Sequence, residues 1–196
     1  IFPFLIPSNY FAVVSLRQLS EMYKEIFHDF DFASKCLSLA DEVETAINNF
    51  AISNHLHYNK IIAYEVDGFG NKLFMDDANI PSLLSLPYLN CIDKENEIYQ
   101  ETRKFILSED NPYFFKGKFA EGIGSPHTLV NNIWHLSIIM RIITSTNEDE
   151  IIQNMKYLKN THADTYFMHE SFNKDNPWEF TRSWFPWPNS LFGEMI

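Results

Sequence analysis

Between Pro7 and Phe27 the apolar residues Phe11, Val14, Leu19, Met22 and Ile26 recur at the repeat of a helix with one apolar face. Pro7 and Ser8 stand where such a helix would start. The stretch "DFASKCLSLADEVETAINNFAIS" repeats the pattern, with Cys36, Leu39, Ala40, Val43, Ile47 and Phe50 on one face and Asp31 or Ser34 as its cap. Two helices joined so tightly predict an antiparallel hairpin. The period then changes. In "KIIAYEVDGFGNKLFM", Ile61, Ile62, Tyr64 and Val66 are strand formers and "DGFGN" is turn chemistry, which predicts a short β-hairpin.

Further along, "NIPSLLSLPYL" predicts a short helix stopped near Pro87. "DKENEIYQETRKFILS" predicts another, with Ile98, Thr102, Phe105 and Ile106 inward. A long irregular segment, "EDNPYFFKGKFAEGIGSPHT", carries a second hairpin around Lys116 and Gly117. The segments "LVNNIWHLSIIMRIITS" and "NEDEIIQNMKYLKNT" then predict a second helical pair, the latter opened by acids that suit a helix N-terminus. A last loop, "HADTYFMHESFNKDNPWEFTRSWFPWPN", leads to a final helix beginning at "SLFGEMI". The order is therefore helix pair, loop, helix pair, loop. No linker or composition break divides residues 1–196, so one domain is expected. Loops of this length are usually functional, and their aromatic content argues against disorder.

Charge and composition remove several classes of function. The net charge is -11, from 15 basic and 26 acidic residues, and no basic stripe offers a groove for nucleic acid. No apolar run approaches the roughly 18 residues of a membrane span, so a soluble protein is expected. Cys36 and Cys91 have neither CxxC nor Cys/His spacing, which predicts packed thiols, no structural zinc, and a cytoplasmic setting in preference to an oxidising one. The chain opens at Ile1 inside "IFPFLIP", without the basic n-region of a signal peptide, and reads as a piece of something longer.

Three loop clusters could do chemistry. "YEVDGFG" and "MDDAN" offer Glu65, Asp67, Asp76, Asp77 and Asn79. "GIGSPHT" offers Ser125 and His127. "FMHESFN" and "FTRSWFPWPN" offer His169, Glu170, Arg182, Trp184 and Trp187. Carboxylates and amides can make paired hydrogen bonds to vicinal hydroxyls, and Trp can cover the apolar face of a sugar ring. Glycoside hydrolysis also needs two carboxyl groups, and Glu170 is the candidate base. Structural roles compete with these. Asp76 or Asp77 could cap the helix near Ile80, Asp67 could serve its turn, and His127 could cap or pack. Trp134 could be core or pocket wall, while His28, His55, His57, His135 and His162 read as surface or packed residues. No His stands four residues after His169, so "HE" is not a zinc-protease signature.

The motifs "LIPSNYFAVVSLRQL", "YEVDGFGNKLFMDDANIPSLLSLPYL", "FILSEDNPYFFKGKFAEGIGSPHT", "IWHLSI" and "FMHESFN...FTRSWFPWPNSLFGEMI", taken together, resemble family 125 of the glycoside hydrolases. The likeness is weakest over residues 31–59 and 148–160. It implies an all-α fold, an (α/α)6 barrel of which this chain is about the C-terminal half, with short β-hairpins in its loops. It implies an exo-acting α-mannosidase that removes terminal α-1,6-linked mannose with inversion, without a catalytic metal or cofactor. By motif position, Glu170 of "HESF" is the general base. Asp67, Asp76, Asp77, Asn79, His127, His169, Arg182 and Trp187 are substrate-binding. The general acid, an Asp directly before the "IPSN" stretch in the family, falls upstream of Ile1. The implied partner is a mannose-containing oligosaccharide such as an N-glycan or mannan fragment, acted on by a monomer when full length. A non-catalytic carbohydrate-binding relative, or an inverting enzyme for another glycan, are the alternatives. Half a toroid should leave helix faces uncovered and the fragment alone aggregation-prone and inactive.

Overall fold

The computed structural model describes residues 2–196. A two-residue strand β1 (Phe4–Leu5) leads directly into α1 (Ile6–Met22), which widens into a π-turn over Tyr23–Phe27 and stops at His28 in the left-handed region. Helix α2 (Phe30–Phe50) returns antiparallel, as the tight connection predicts. Its cap is Asp29, whose carboxylate accepts the Phe32 amide at 3.0 Å, and not Asp31 or Ser34. Ile6, Val13, Ala33, Cys36, Ala40 and Ile47 form the buried seam of this pair. Phe11, Met22, Ile26, Leu39 and Phe50, which carry the same periodicity, face outward.

The middle of the chain is built of short strands. β2 (Ile52–Asn54) pairs with β3 (Lys60–Ile62), and β4 (Glu65–Val66) with β5 (Lys72–Leu73) around the DGFGN turn, while β1 joins the free side of β4. Gly68 and Gly70 take φ of +81° and +112° in this turn, where other residues would be strained. The expected helix in "NIPSLLSLPYL" is instead a series of tight turns. Both oxygens of the Asp76 carboxylate take the amides of Leu83 and Leu84, at 2.8 and 3.0 Å, and Pro81 and Pro87 contribute no N–H, so no helical ladder forms. Helix α3 (Glu97–Ile106) follows, capped by Asn96, with Thr102, Phe105 and Ile106 buried as its pattern requires and Tyr99 beside them.

β6 (Phe114–Lys116) and β7 (Glu121–Ile123) form the hairpin expected around Gly117. The next apolar run is not helical from its start. β8 (Asn132–Ile133) precedes α4 (His135–Ile143), and Trp134 caps that helix instead of lying within it. After α5 (Glu148–Thr161), capped by Asn147, the last loop contains a hairpin that apolar spacing alone does not reveal. β9 (Ser171–Asn173) and β10 (Asn176–Thr181) complete a three-stranded sheet in the order β10-β9-β8. Helix α6 (Pro186–Met195) begins four residues before Ser190, since proline is tolerated in a first turn. The described residues are thus helix-rich with four small sheets, in keeping with the expected helices and short β-hairpins. Its core runs through Leu83, Leu84, Tyr99, Ile106, Ile123, Ile133, Leu136, Ile138 and Phe172. No helix among the described residues is long and apolar enough to cross a membrane.

Candidate active site

The stretch after β5 meets the stretch after β7. The Ala78 amide donates to the Gly124 carbonyl at 3.0 Å, which brings Asp77 and Asn79 against the Ser125–His127 loop. Gly124 is itself packed too tightly for a side chain: a Cβ there would run into the Asn132 carbonyl and lie 2.6 Å from the Phe115 ring. Asp77 Oδ1 accepts both the backbone and side-chain amides of Asn79, at 3.1 and 3.0 Å, an Asx turn that presents the carboxylate. Its other oxygen stands 4.0 Å from His127 Nε2, and Asn79 Nδ2 also reaches Ser125 Oγ at 3.4 Å. The His127 side chain is 71% exposed while that of Asp77 is 5% exposed, so the imidazole forms the outer rim and the carboxylate the floor.

Glu170 and Arg182 are set opposite each other by strand register. Ser171 pairs with Thr181, so the residues just outside the pair, 170 and 182, face one another at the open end of the hairpin. Ser171 Oγ and Thr181 Oγ1 lie 2.8 Å apart and Asn132 Nδ2 donates to Ser171 Oγ at 3.0 Å, which pins all three strands beside Glu170. Arg182 Nε stands 3.3 Å from Glu170 Oε1, and its guanidinium lies 5.1 Å from the centre of the Phe185 ring. Arg182 takes φ of +51°, a conformation that costs a non-glycine residue energy and is concentrated at functional sites. Glu170 is largely covered but open on one side, its side chain 17% exposed. Trp187, in the first turn of α6, is exposed and stands edge-on to Phe185.

The two groups are joined through Trp134. Its indole Nε1 donates to Thr128 Oγ1 at 3.0 Å, and its ring meets Phe185 edge-on at 6.2 Å. Trp134 is buried and belongs to the packing that connects the His127 loop to the Arg182–Phe185 segment.

Three residues expected to bind sugar have side chains already engaged by the protein itself. Asp76 has no exposed surface and both its oxygens hold backbone amides; burial pushes its carboxyl up to about 8, against the pull of the Leu83 and Leu84 amides. It shapes the turns behind Asp77. His169 is equally buried. Its ring nitrogens lie 2.9 Å from the Ser183 carbonyl and 3.2 Å from that of His162, its ring stacks on Phe180 at 4.0 Å, and burial lowers it from the ordinary histidine range. Asp67 is committed to its turn: its oxygens accept the amides of Phe69 and Asn71 and the Asn71 side chain, which holds it below the usual carboxylate range. Among the described residues no hydrogen bond links Asp67 to the Asp77–His127 group.

Sequence reasoning missed the residues behind Glu170. His135, expected to be surface or packed, is packed, and in addition it accepts the His169 amide. Asn189 brackets Met168, and no spacing rule would have singled it out. Among the described residues, no group of three or more His, Cys, Asp or Glu side chains has the geometry to hold a metal ion.

A profile of the metal-independent alpha-mannosidases, family GH125, matches residues 1–196, and the chain belongs to that family. The meiotically up-regulated gene 157 protein of Schizosaccharomyces pombe (strain 972) is 45% identical over 194 residues, covering 98% of this chain and 38% of its own length. A solved alpha-mannosidase structure from Streptococcus pneumoniae superimposes with a TM-score of 0.96 at 39% identity, over 99% of this chain and 46% of that one. That protein belongs to a widely distributed family of metal-independent alpha mannosidases that bears on the processing of N-linked glycans, and it is seen in a non-productive substrate complex with alpha-1,6-mannobiose. The chain therefore spans less than half the length of each of these two relatives.

Proposed function

We propose that this chain is about half of an (α/α)6 barrel that hydrolyses terminal α-1,6-linked mannose from oligosaccharides, with inversion and with Glu170 as general base. Family membership and the alpha-1,6-mannobiose bound to the Streptococcus relative support mannose as the sugar. The observation that carries the base assignment is the placement of Glu170: a mostly covered carboxylate, open on one side and oriented by Arg182 at the mouth of a pinned hairpin. In this reading the free Glu170 oxygen takes a proton from water as that water attacks the anomeric carbon. A carboxylic acid from the remainder of the full-length protein protonates the departing oxygen. Inversion requires about 6.5–9.5 Å between the two groups, enough to admit the water.

Asp77, Asn79 and His127 then grip hydroxyls of the terminal mannose. Arg182 contributes a further donor, and Trp187 offers a ring face for stacking. Asp67, Asp76 and His169 act behind them as supports. The full-length protein works as a monomer on N-glycan or mannan fragments.

The test is the first sugar released. Proton NMR of the full-length protein acting on an α-1,6-mannobioside should show β-mannose appearing before mutarotation, with α-1,2- and α-1,3-mannobiosides cleaved far more slowly. α-Mannose as first product would contradict inversion, and equal rates on the three linkages would contradict the specificity.

A further inference from the structure

The main chain bearing Glu170 is clasped from behind by side chains. Asn189 Oδ1 accepts the Met168 amide at 3.0 Å, while its Nδ2 donates to the carbonyls of Met168 and Phe185 at 2.8 and 2.6 Å. One residue on, the His169 amide donates to His135 Nδ1 at 2.8 Å. His135 has no exposed surface, and its ring is flanked by Phe172 at 4.6 Å. Its Nε2 lies 2.9 Å from Thr161 Oγ1, and the Thr161 hydroxyl donates its own hydrogen to the Tyr157 carbonyl at 2.7 Å. The His169 amide by itself fixes the ring tautomer, although the His169 carbonyl also lies 3.3 Å from Nδ1. Nδ1 accepts, so Nε2 carries the hydrogen and donates to Thr161.

We propose that His135 is a positioning residue for Glu170. By accepting the His169 amide it sets the main chain from which the Glu170 side chain departs toward Arg182. His135 is sealed from the surface and touches no sugar, so it acts through the backbone. The proposal rests on the reading of Glu170 as base. A base displaced by about 1 Å loses on the order of 100-fold in rate, because the water must sit within hydrogen-bond reach of it and in line with the anomeric carbon.

Two substitutions separate this role from packing. The Asn side-chain oxygen can occupy the place of Nδ1, whereas Gln reaches the place of Nε2 and leaves the His169 amide without an acceptor. In the full-length protein acting on an α-1,6-mannobioside, His135→Gln should lower kcat about 100-fold with KM within about twofold, and His135→Asn should recover most of that loss. Thr161→Val, which removes the Nε2 partner, serves as control: Tm falls while kcat of the folded protein holds. Equal losses for Asn and Gln that track Tm would overturn the proposal. Should His135→Gln fail to fold, His135→Asn decides. A kcat lowered several-fold at unchanged KM supports positioning, and a loss proportional to the unfolded fraction overturns it. Glu170→Gln in the same assay keeps the two readings apart. If it retains parental turnover, the base assignment fails; if it is inactive while the His135 pair behaves alike, only the positioning role fails.

Discussion

Asp77 and His127 are fifty positions apart in sequence, yet the Ala78–Gly124 backbone bond sets the carboxylate as floor and the imidazole as rim. Since the His127 ring is largely exposed, removing it should leave the fold intact. His127→Ala in the full-length protein is expected to raise KM for an α-1,6-mannobioside about tenfold, the usual worth of one hydrogen bond to a bound ligand, with Tm unchanged. Asp77→Ala should raise KM more and also lower Tm, because it leaves the Asn79 backbone amide without its acceptor. Unchanged KM in both variants would remove them from the sugar site. At this scale the sequence showed which residue types cluster, but not which of them face outward. Asp76 and Asp77 are neighbours of identical chemistry. Only long-range bonds, to Leu83 and Leu84 for one and toward His127 for the other, separate a support from a candidate contact. The pairing of Glu170 with Arg182 was equally hidden, because it follows from strand register and not from spacing.

Helices α3, α4 and α5 and strand β7 are tied by a chain of charges. Arg103 Nη2 meets Glu150 at 2.8 Å, Arg141 Nε meets the other Glu150 oxygen at 2.7 Å, and Arg141 Nη1 meets Glu121 at 3.2 Å. These side chains are mostly covered, so removing the central acid takes from Arg103 its carboxylate and from Arg141 one of its two. Glu150→Ala should cost about 3 kcal/mol of unfolding free energy, measured by urea denaturation, whereas an exposed pair such as Lys24 with Glu25 should cost little. Burial alone would raise the Glu150 carboxyl, but bonds from Arg103, Ser145 and Arg141 outweigh it and hold it below the usual range. Its stabilising contribution is therefore complete above the unfolded value near 4.5 and is lost as pH falls through the lower folded value. Urea midpoints should drop over that acid window in the parent and drop less in Glu150→Gln. An equal drop would contradict the network. Helices were legible because the 3.6-residue repeat is a local signal, whereas the exact cap was not: α2 is capped by Asp29 and not by Asp31 or Ser34. The turns after Ile80 were not, because Asp76 binds amides seven and eight residues away. The β9–β10 hairpin was missed because its alternation is broken by a register shift between Asn176 and Phe180.

Across the whole chain, the α1/α2 hairpin leaves the large apolar side chains of Ile26, Phe27, Phe30, Leu39 and Phe50 exposed, which favours association. The 196-residue chain by itself should self-associate at micromolar concentration, as read by light scattering after gel filtration. A monodisperse monomer would contradict that expectation. The family likeness was legible in the long loop motifs, and the profile match over residues 1–196 confirms it. The share of the relatives covered, 38% and 46%, agrees with reading this chain as about half of the catalytic fold. The central claim is that Glu170 activates the attacking water, and steady-state turnover of an α-1,6-mannobioside by full-length Glu170→Gln tests it most directly. The account predicts kcat reduced by about 10²–10⁴, the usual worth of a general base, with mannobiose affinity by calorimetry within a few-fold of the parent. Turnover at the parental rate in a folded, sugar-binding Glu170→Gln protein would contradict it.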